Sequence, residues 1–139
     1  MSTLALARNI TEIQTGIISK KKKIFCKNKR ISTKMCVFLA RQGLIHFYTL
    51  NKEENKYEIY VKYVRNLNII KKICLVSKPS FKVFYSLYKM RTLLWKNKNN
   101  IYLISAPTLS KKYASGFINQ NEAVDNNIGG EVLVKIEIM

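Results

Sequence analysis

Asn119 and Glu122 stand three residues apart, a few positions ahead of Gly129-Gly130 and an alternating apolar run. An Asn at an N-cap accepts from the third helical amide, and a Glu at that third position returns the bond. The spacing therefore predicts a helix of one to two turns through Asn126. Two consecutive glycines permit positive φ or a close approach to another stretch of backbone. The run GGEVLVKIEIM then predicts a final strand, with Val132, Val134 and Ile136 on one face and Glu131, Leu133 and Lys135 on the other. A short capped helix must hand over to a strand where the main chain runs against a neighbour.

This stretch is acidic in a strongly basic chain. Glu122, Asp125 and Glu131 are among only eight acids, set against 25 Lys and Arg, for a formal net charge of +17. Helix capping accounts for Glu122 but not for Glu131. So large a charge opposes compaction unless something anionic offsets it. Nucleic acid is the first candidate partner and an anionic membrane surface the second. Hydrophobic residues make up 47% of the 139 positions, enough for a core, so the chain is not a disordered basic tail. Lysine outnumbers arginine and asparagine is abundant, a bias that points to an AT-rich genome.

Along the chain, Leu4, Leu6, Ala7, Ile10, Ile13 and Ile17 approximate helical spacing, with Gly16 as the expected stop. KKKKIFCKN reads as a short basic strand. Ile31, Met35, Phe38 and Leu39 predict a helix from about Lys29 to Gln42 with Gly43 as its cap. LIHFYTL (44–50) and YEIYVKYV (57–64) predict strands of a hairpin around the polar NKEENK. The first half thus reads α-β-α-β-β. The break Ser77-Lys78-Pro79-Ser80 separates two strand-like runs, IICLV and FKVFY. A short helix over Leu87–Trp95, a strand at 101–106 and the closing helix and strand complete a mostly β second half.

Three islands, TEIQTG (11–16), LVSKPSFKVFY (75–85) and GFINQNEA…IGGEVL (116–133), occur in an order that resembles the universal eighth small-subunit ribosomal protein family. That family shows a Thr-x-Ile-x-Asn-Gly-like first helix, a Val-Ser-(Lys/Arg)-Pro segment, and a Gly-Gly-Glu-(Val/Ile)-Leu end. The resemblance implies an α+β fold in two domains. The first, 1–66, is an α-β-α-β-β domain, packed on a smaller, mostly β domain with a short helix at 67–139. It implies a structural constituent of the small subunit that binds the central domain of its rRNA and supports assembly. Small-subunit rRNA and neighbouring ribosomal proteins are the expected partners, with no enzyme activity, no cofactor, no metal, no membrane and no small-molecule substrate.

The resemblance carries RNA contact to Ser105 and Glu131, to Thr11 on the first helix, and to Asn28 with Lys29 before the second helix. Gly116, Gly129 and Gly130 belong to the same motifs. Two departures matter. Glu12 and Gln14 stand where the family usually has Arg, and its Ser-Thr-Ser turn is here Ser105-Ala106-Pro107 followed by about six extra residues. Thr108, Ser110 or Ser115 can supply the missing hydroxyl. Lys27 and Lys29 lie in the densest basic cluster and suit phosphate contact. Lys78-Pro79 offers either a phosphate-binding turn or a bend joining the domains. Tyr57, Tyr60, Tyr63, Phe84 and Tyr85 can stack on bases, but their spacing favours sheet packing for most.

Other classes fare worse. A hydrolase needs clustered carboxylates, and the acids here are scattered. His46 is the single histidine, and Cys26, Cys36 and Cys74 form neither a CxxC pair nor a disulfide framework, so they read as small buried hydrophobes. No apolar run approaches the roughly 20 residues of a membrane span. The N-terminus reads as the first folded element rather than a basic presequence. A free-standing basic nucleic-acid-binding protein outside the ribosome is the alternative. Composition and motif drift point to a mitochondrial, organelle-encoded ribosomal protein, with a plastid or an AT-rich bacterial cytoplasm as the other settings.

Overall fold

The computed structural model describes residues 3–65, 67–78, 80–96, 99–107 and 116–138. It is an α+β fold of two compact units, the first running through Lys71 and the second from Lys72 to Ile138.

The first unit follows the order α1 (Thr3–Ile18), β1 (Lys23–Lys27), α2 (Arg30–Arg41), β2 (Ile45–Asn51) and β3 (Lys56–Val61). Its antiparallel sheet has the order β1-β3-β2. Leu6, Ile10 and Ile13 of α1 and Met35, Phe38 and Leu39 of α2 bury the apolar stripes read from the sequence. Between the two helices, buried Asn9 donates to Ser32 at 2.9 Å, so neither polar group is stranded. A two-stranded ribbon, β4 (Tyr63–Val64) with β5 (Leu67–Asn68), and the start of β6 (Ile70–Leu75) complete this unit.

The expected stop of α1 at Gly16 is displaced. The helix continues to Ile18, and Lys20 takes the left-handed turn at φ 55°. The Lys20 and Lys21 amides donate to the carbonyls of Ile17 and Gly16, the paired bonds of a Schellman end. Gly16 serves packing instead, since a Cβ there would lie 2.6 Å from the Ile24 side chain of β1. At the end of α2 the cap is Gln42 rather than Gly43. Gly43, at φ 74°, is the left-handed residue just beyond it, and Asn127 plays that part after the last helix at φ 55°.

The second unit builds a sheet in the order β6-β10-β8-β9, from β8 (Asn100–Ser105), β9 (Phe117–Ile118) and β10 (Gly130–Ile138), with β7 (Phe84–Tyr85) also pairing β10. Helices α3 (Leu87–Lys96) and α4 (Gln120–Asp125) pack on it through Met90, Leu93 and Ala123 against Tyr102, Ile104 and Val132. The capping box at Asn119 and Glu122 is formed in both directions. Buried Gln120 completes the edge of β8, donating to the Asn100 carbonyl and accepting from the Tyr102 amide.

Two expectations need correction here. FKVFY is a strand only at Phe84–Tyr85, because Lys78 and Phe81 close on each other in a turn and Val83 bonds to Ser77 and Val132. The strict alternation of the last strand also fails. The register with β8 shifts between Val132 and Val134, so Glu131, Val134 and Ile136 oppose Ser105, Leu103 and Ile101 and share one face. Leu133 at the bulge is fully buried, and its carbonyl accepts from the amides of Val76 and Ser77.

Cys26 and Cys36 are buried as expected, and Cys74 is half-buried. Burial pushes the Cys36 thiol up to about 12. Burial pushes Cys26 higher still, reinforced by the Glu12 charge, by Cys36 and by a hydrogen bond with Glu12. Since both pKa values rise on folding, the stability they contribute is complete below the unfolded thiol value, about 8.5, and drains away above it. At pH 8, iodoacetamide should add one group to the native chain, at Cys74, and three in denaturant; mass spectrometry of native protein modified at Cys26 would contradict this. Glycine geometry gives a second expectation. A Cβ on Gly129 would lie 2.4 Å from the Tyr85 carbonyl oxygen, which is main chain, whereas one on Gly16 meets only a side chain. Gly129→Ala should cost about 1–3 kcal/mol in urea unfolding. Gly16→Ala should cost less than half of that, because it regains roughly 0.5–1 kcal/mol of helix preference.

Candidate nucleic-acid interface

The start of β10 is wedged between two strand ends. A Cβ on Gly130 would come within 3.0 Å of the Ile104 side chain and the Ser105 carbonyl, while Gly129 lies against Tyr85 and Ser86. With no side chains in the way, Glu131 pairs with Ser105 of β8 on one side and Phe84 of β7 on the other. Phe84 is 67% exposed and Glu131 is half-buried, so an acceptor carboxylate and a hydroxyl sit in one row beside an open ring. Ser105 also pairs with buried Phe117 of β9. One residue on, the Ala106 amide donates to the Gly116 carbonyl at 2.8 Å, and Gly116 holds φ 71°, a conformation that favours glycine. Ser105, Gly116, Gly129, Gly130 and Glu131 thus converge at one end of one sheet. Thr108, Ser110 and Ser115 lie outside the described residues.

Lys78 is exposed on a turn within the second unit, beyond the division of the chain at Lys71 and Lys72, so it is not a bend joining the two units. Its amide donates to the Phe81 carbonyl at 2.9 Å, and the Phe81 amide returns the bond at 3.0 Å. Fully buried Ser77 anchors this turn. Its Oγ donates to the Val132 carbonyl at 2.6 Å and accepts from the Val83 amide at 2.9 Å. The turn therefore hangs on the residue that follows Glu131. Sequence reading missed this role of Ser77; the signal was a hydroxyl followed by Lys-Pro at a break between two apolar runs.

In the first unit, Lys27 and Lys29 are exposed and line a hollow of about 220 Å³ with Arg8, Asn9 and Glu12 of α1. Thr11 is exposed and lines a larger hollow with Glu12, Lys21, Lys23 and Phe25. Its hydroxyl donates to the Ala7 carbonyl at 2.9 Å, and its oxygen stays available to accept. Glu12, the acid at a position where the resemblance expects Arg, borders both hollows. Asn28 is held by the β2–β3 hairpin. Its amide donates to the Asn55 carbonyl and its side chain to Asn55 Oδ1 at 2.9 Å. Asn55, at φ 53°, is a residue the sequence reading did not single out. Lys29 opens α2 with no side-chain cap on the helix.

Residues 5–136 match the family described as Ribosomal protein S8. This chain belongs to that family. Among its relatives are the small ribosomal subunit proteins uS8 of Brucella melitensis, Brucella abortus and Brucella ovis, each 28% identical over 130 residues, covering 91% of this chain and 92% of the relative. The S8 match runs through both units and includes every candidate residue discussed above. Among the described residues there is no group of three or more His, Cys, Asp or Glu placed to hold a metal, and no helix long and apolar enough to cross a membrane.

Proposed function

We propose that this S8-family chain is a structural constituent of the small ribosomal subunit that binds the central domain of small-subunit rRNA directly and supports its assembly. The observation that carries the reading is the convergence of Glu131, Ser105 and Gly116 at one sheet end, within a chain that matches the family from residue 5 to 136. A carboxylate facing RNA is repelled unless it accepts a directed bond, from a base amino group or through the Ser105 hydroxyl. Lys27, Lys29 and Lys78 serve phosphates, with Thr11 and Asn28 as polar contacts beside them. Neighbouring ribosomal proteins are the other partners. The chain acts by binding and not by catalysis. The lysine- and asparagine-rich composition favours a mitochondrial, organelle-encoded setting, and the rRNA that copurifies with the chain tests this.

Binding to a small-subunit rRNA fragment should fall steeply with salt, with a log–log slope of roughly −4 to −6 if about six phosphates are neutralised. Lys27→Ala or Lys29→Ala should weaken all structured RNAs alike and make the slope shallower. A nearly flat salt response would sink the phosphate-dominated picture. At the other end, Glu131→Ala should lose about 1–3 kcal/mol of rRNA affinity. Glu131→Gln, which keeps an acceptor oxygen, should lose less, with unfolding midpoints little changed. Equal losses for the two variants would remove the directed bond from the account.

A further inference from the structure

The sheet of the first unit has an outer face that the reading above leaves unused. The register puts Lys23, Tyr60 and Phe47 in one row across the three strands, and Phe25, Glu58 and Thr49 in the next. Cross-strand partners share a face, so these six side chains stand together, opposite buried Ile24, Cys26 and Ile59. Phe47 is 52% exposed and Phe25 42% exposed. The Phe47 and Tyr60 rings stack at 4.2 Å with planes 22° apart. The Lys23 ammonium sits 5.2 Å from the Phe25 ring centre and 5.8 Å from that of Tyr60. It is also 3.5 Å from Glu58 Oε1, and Glu58 further accepts from Thr49 and Tyr60. Aromatic rings, a cation and a neutralised carboxylate thus form one ordered ladder.

We infer that this face is a stacking platform for a few unpaired nucleotides of RNA. The inference rests on the reading of the chain as RNA-binding, but assigns a second surface distinct from the Glu131 end. Three observations select that occupant. Two parallel rings with exposed surface offer a continuation that a planar base extends, whatever its sequence. The one carboxylate on the face is already paired with Lys23, while the next row brings exposed Lys27 and Lys56 opposite each other. That leaves a positive margin beside the rings, complementary to a sugar–phosphate backbone. Finally, large exposed apolar side chains grouped on one open sheet face mark a contact surface rather than ordinary solvent exposure.

The test uses the full chain with a short oligoadenylate and, as a control, an abasic ribose–phosphate strand of equal length. Phe47→Ala should weaken oligoadenylate binding about fivefold or more and leave the abasic strand unchanged. Phe47→Trp should restore binding. Phe47→Leu, which keeps apolar bulk without a π face, should behave like Ala. If Leu binds as well as Phe, or if Ala costs nothing, the platform is overturned and the face is an apolar docking surface for protein. A structured small-subunit rRNA fragment separates the two readings. Loss of that binding in the unaltered chain, with Phe47-dependent oligoadenylate binding intact, defeats the ribosomal assignment alone. Normal rRNA binding with oligoadenylate binding indifferent to Phe47 defeats the platform alone.

Discussion

The close passage of Gly129 and Gly130 against main-chain atoms of Tyr85 and Ser105 organises the second unit. Any Cβ at these positions would press on backbone, which cannot rotate out of the way. The passage lets β10 begin between β7 and β8, fixing Glu131 opposite both Phe84 and Ser105. Downstream, a bulge at Leu133 shifts the register with β8, and Val132, Leu133, Val134 and Ile136 are all buried. Ser77 then ties the Lys78 turn to the same strand. A local freedom from side chains thus propagates into the placement of a hydroxyl, a carboxylate and a lysine.

Charge is arranged with the same economy. Several acids already have work inside the protein. Glu58 is drawn two ways: partial burial pushes its carboxyl up, while Lys23 and the Thr49 and Tyr60 hydroxyls outweigh this and hold it below the usual range. Glu122 closes a capping box and Glu137 pairs with Lys135. Acids so engaged do little to neutralise the exposed lysines at positions 20, 21, 22, 27 and 29. The resulting self-repulsion is offset by an anionic partner or screened by dissolved counter-ions.

What the sequence revealed divides along the range of the forces involved. Asn119 and Glu122 act within one helical turn, so the capped helix was legible in full. The apolar periods of α1 and α2 depend only on local geometry, and the α-β-α-β-β order followed from them. A close backbone approach was legible in the paired glycines, while the grouping of Ser105 with Glu131 came from the family resemblance. Gly16 misled because its small size serves Ile24, a residue of another element, while Lys20 accepts the left-handed turn usually given to glycine. Leu133 misled because a bulge is a property of two strands, visible only once β8 lies beside β10. Tyr60 was singled out as an aromatic of the strand, but its stacking on Phe47 was hidden, since it depends on register across the hairpin.

Many of the bonds that shape the Glu131 end join main-chain atoms. The Ala106 amide meets the Gly116 carbonyl, Val132 meets Val83, and the amides of Val76 and Ser77 meet Leu133. Every residue except proline brings such an amide, whatever its side chain. An architecture written in backbone is buffered against mutation: neighbouring side chains can be exchanged over evolutionary time while the scaffold keeps its shape. Such buffering lets a lineage retune its side-chain chemistry to an RNA that is itself changing, one substitution at a time, without passing through an unfolded ancestor.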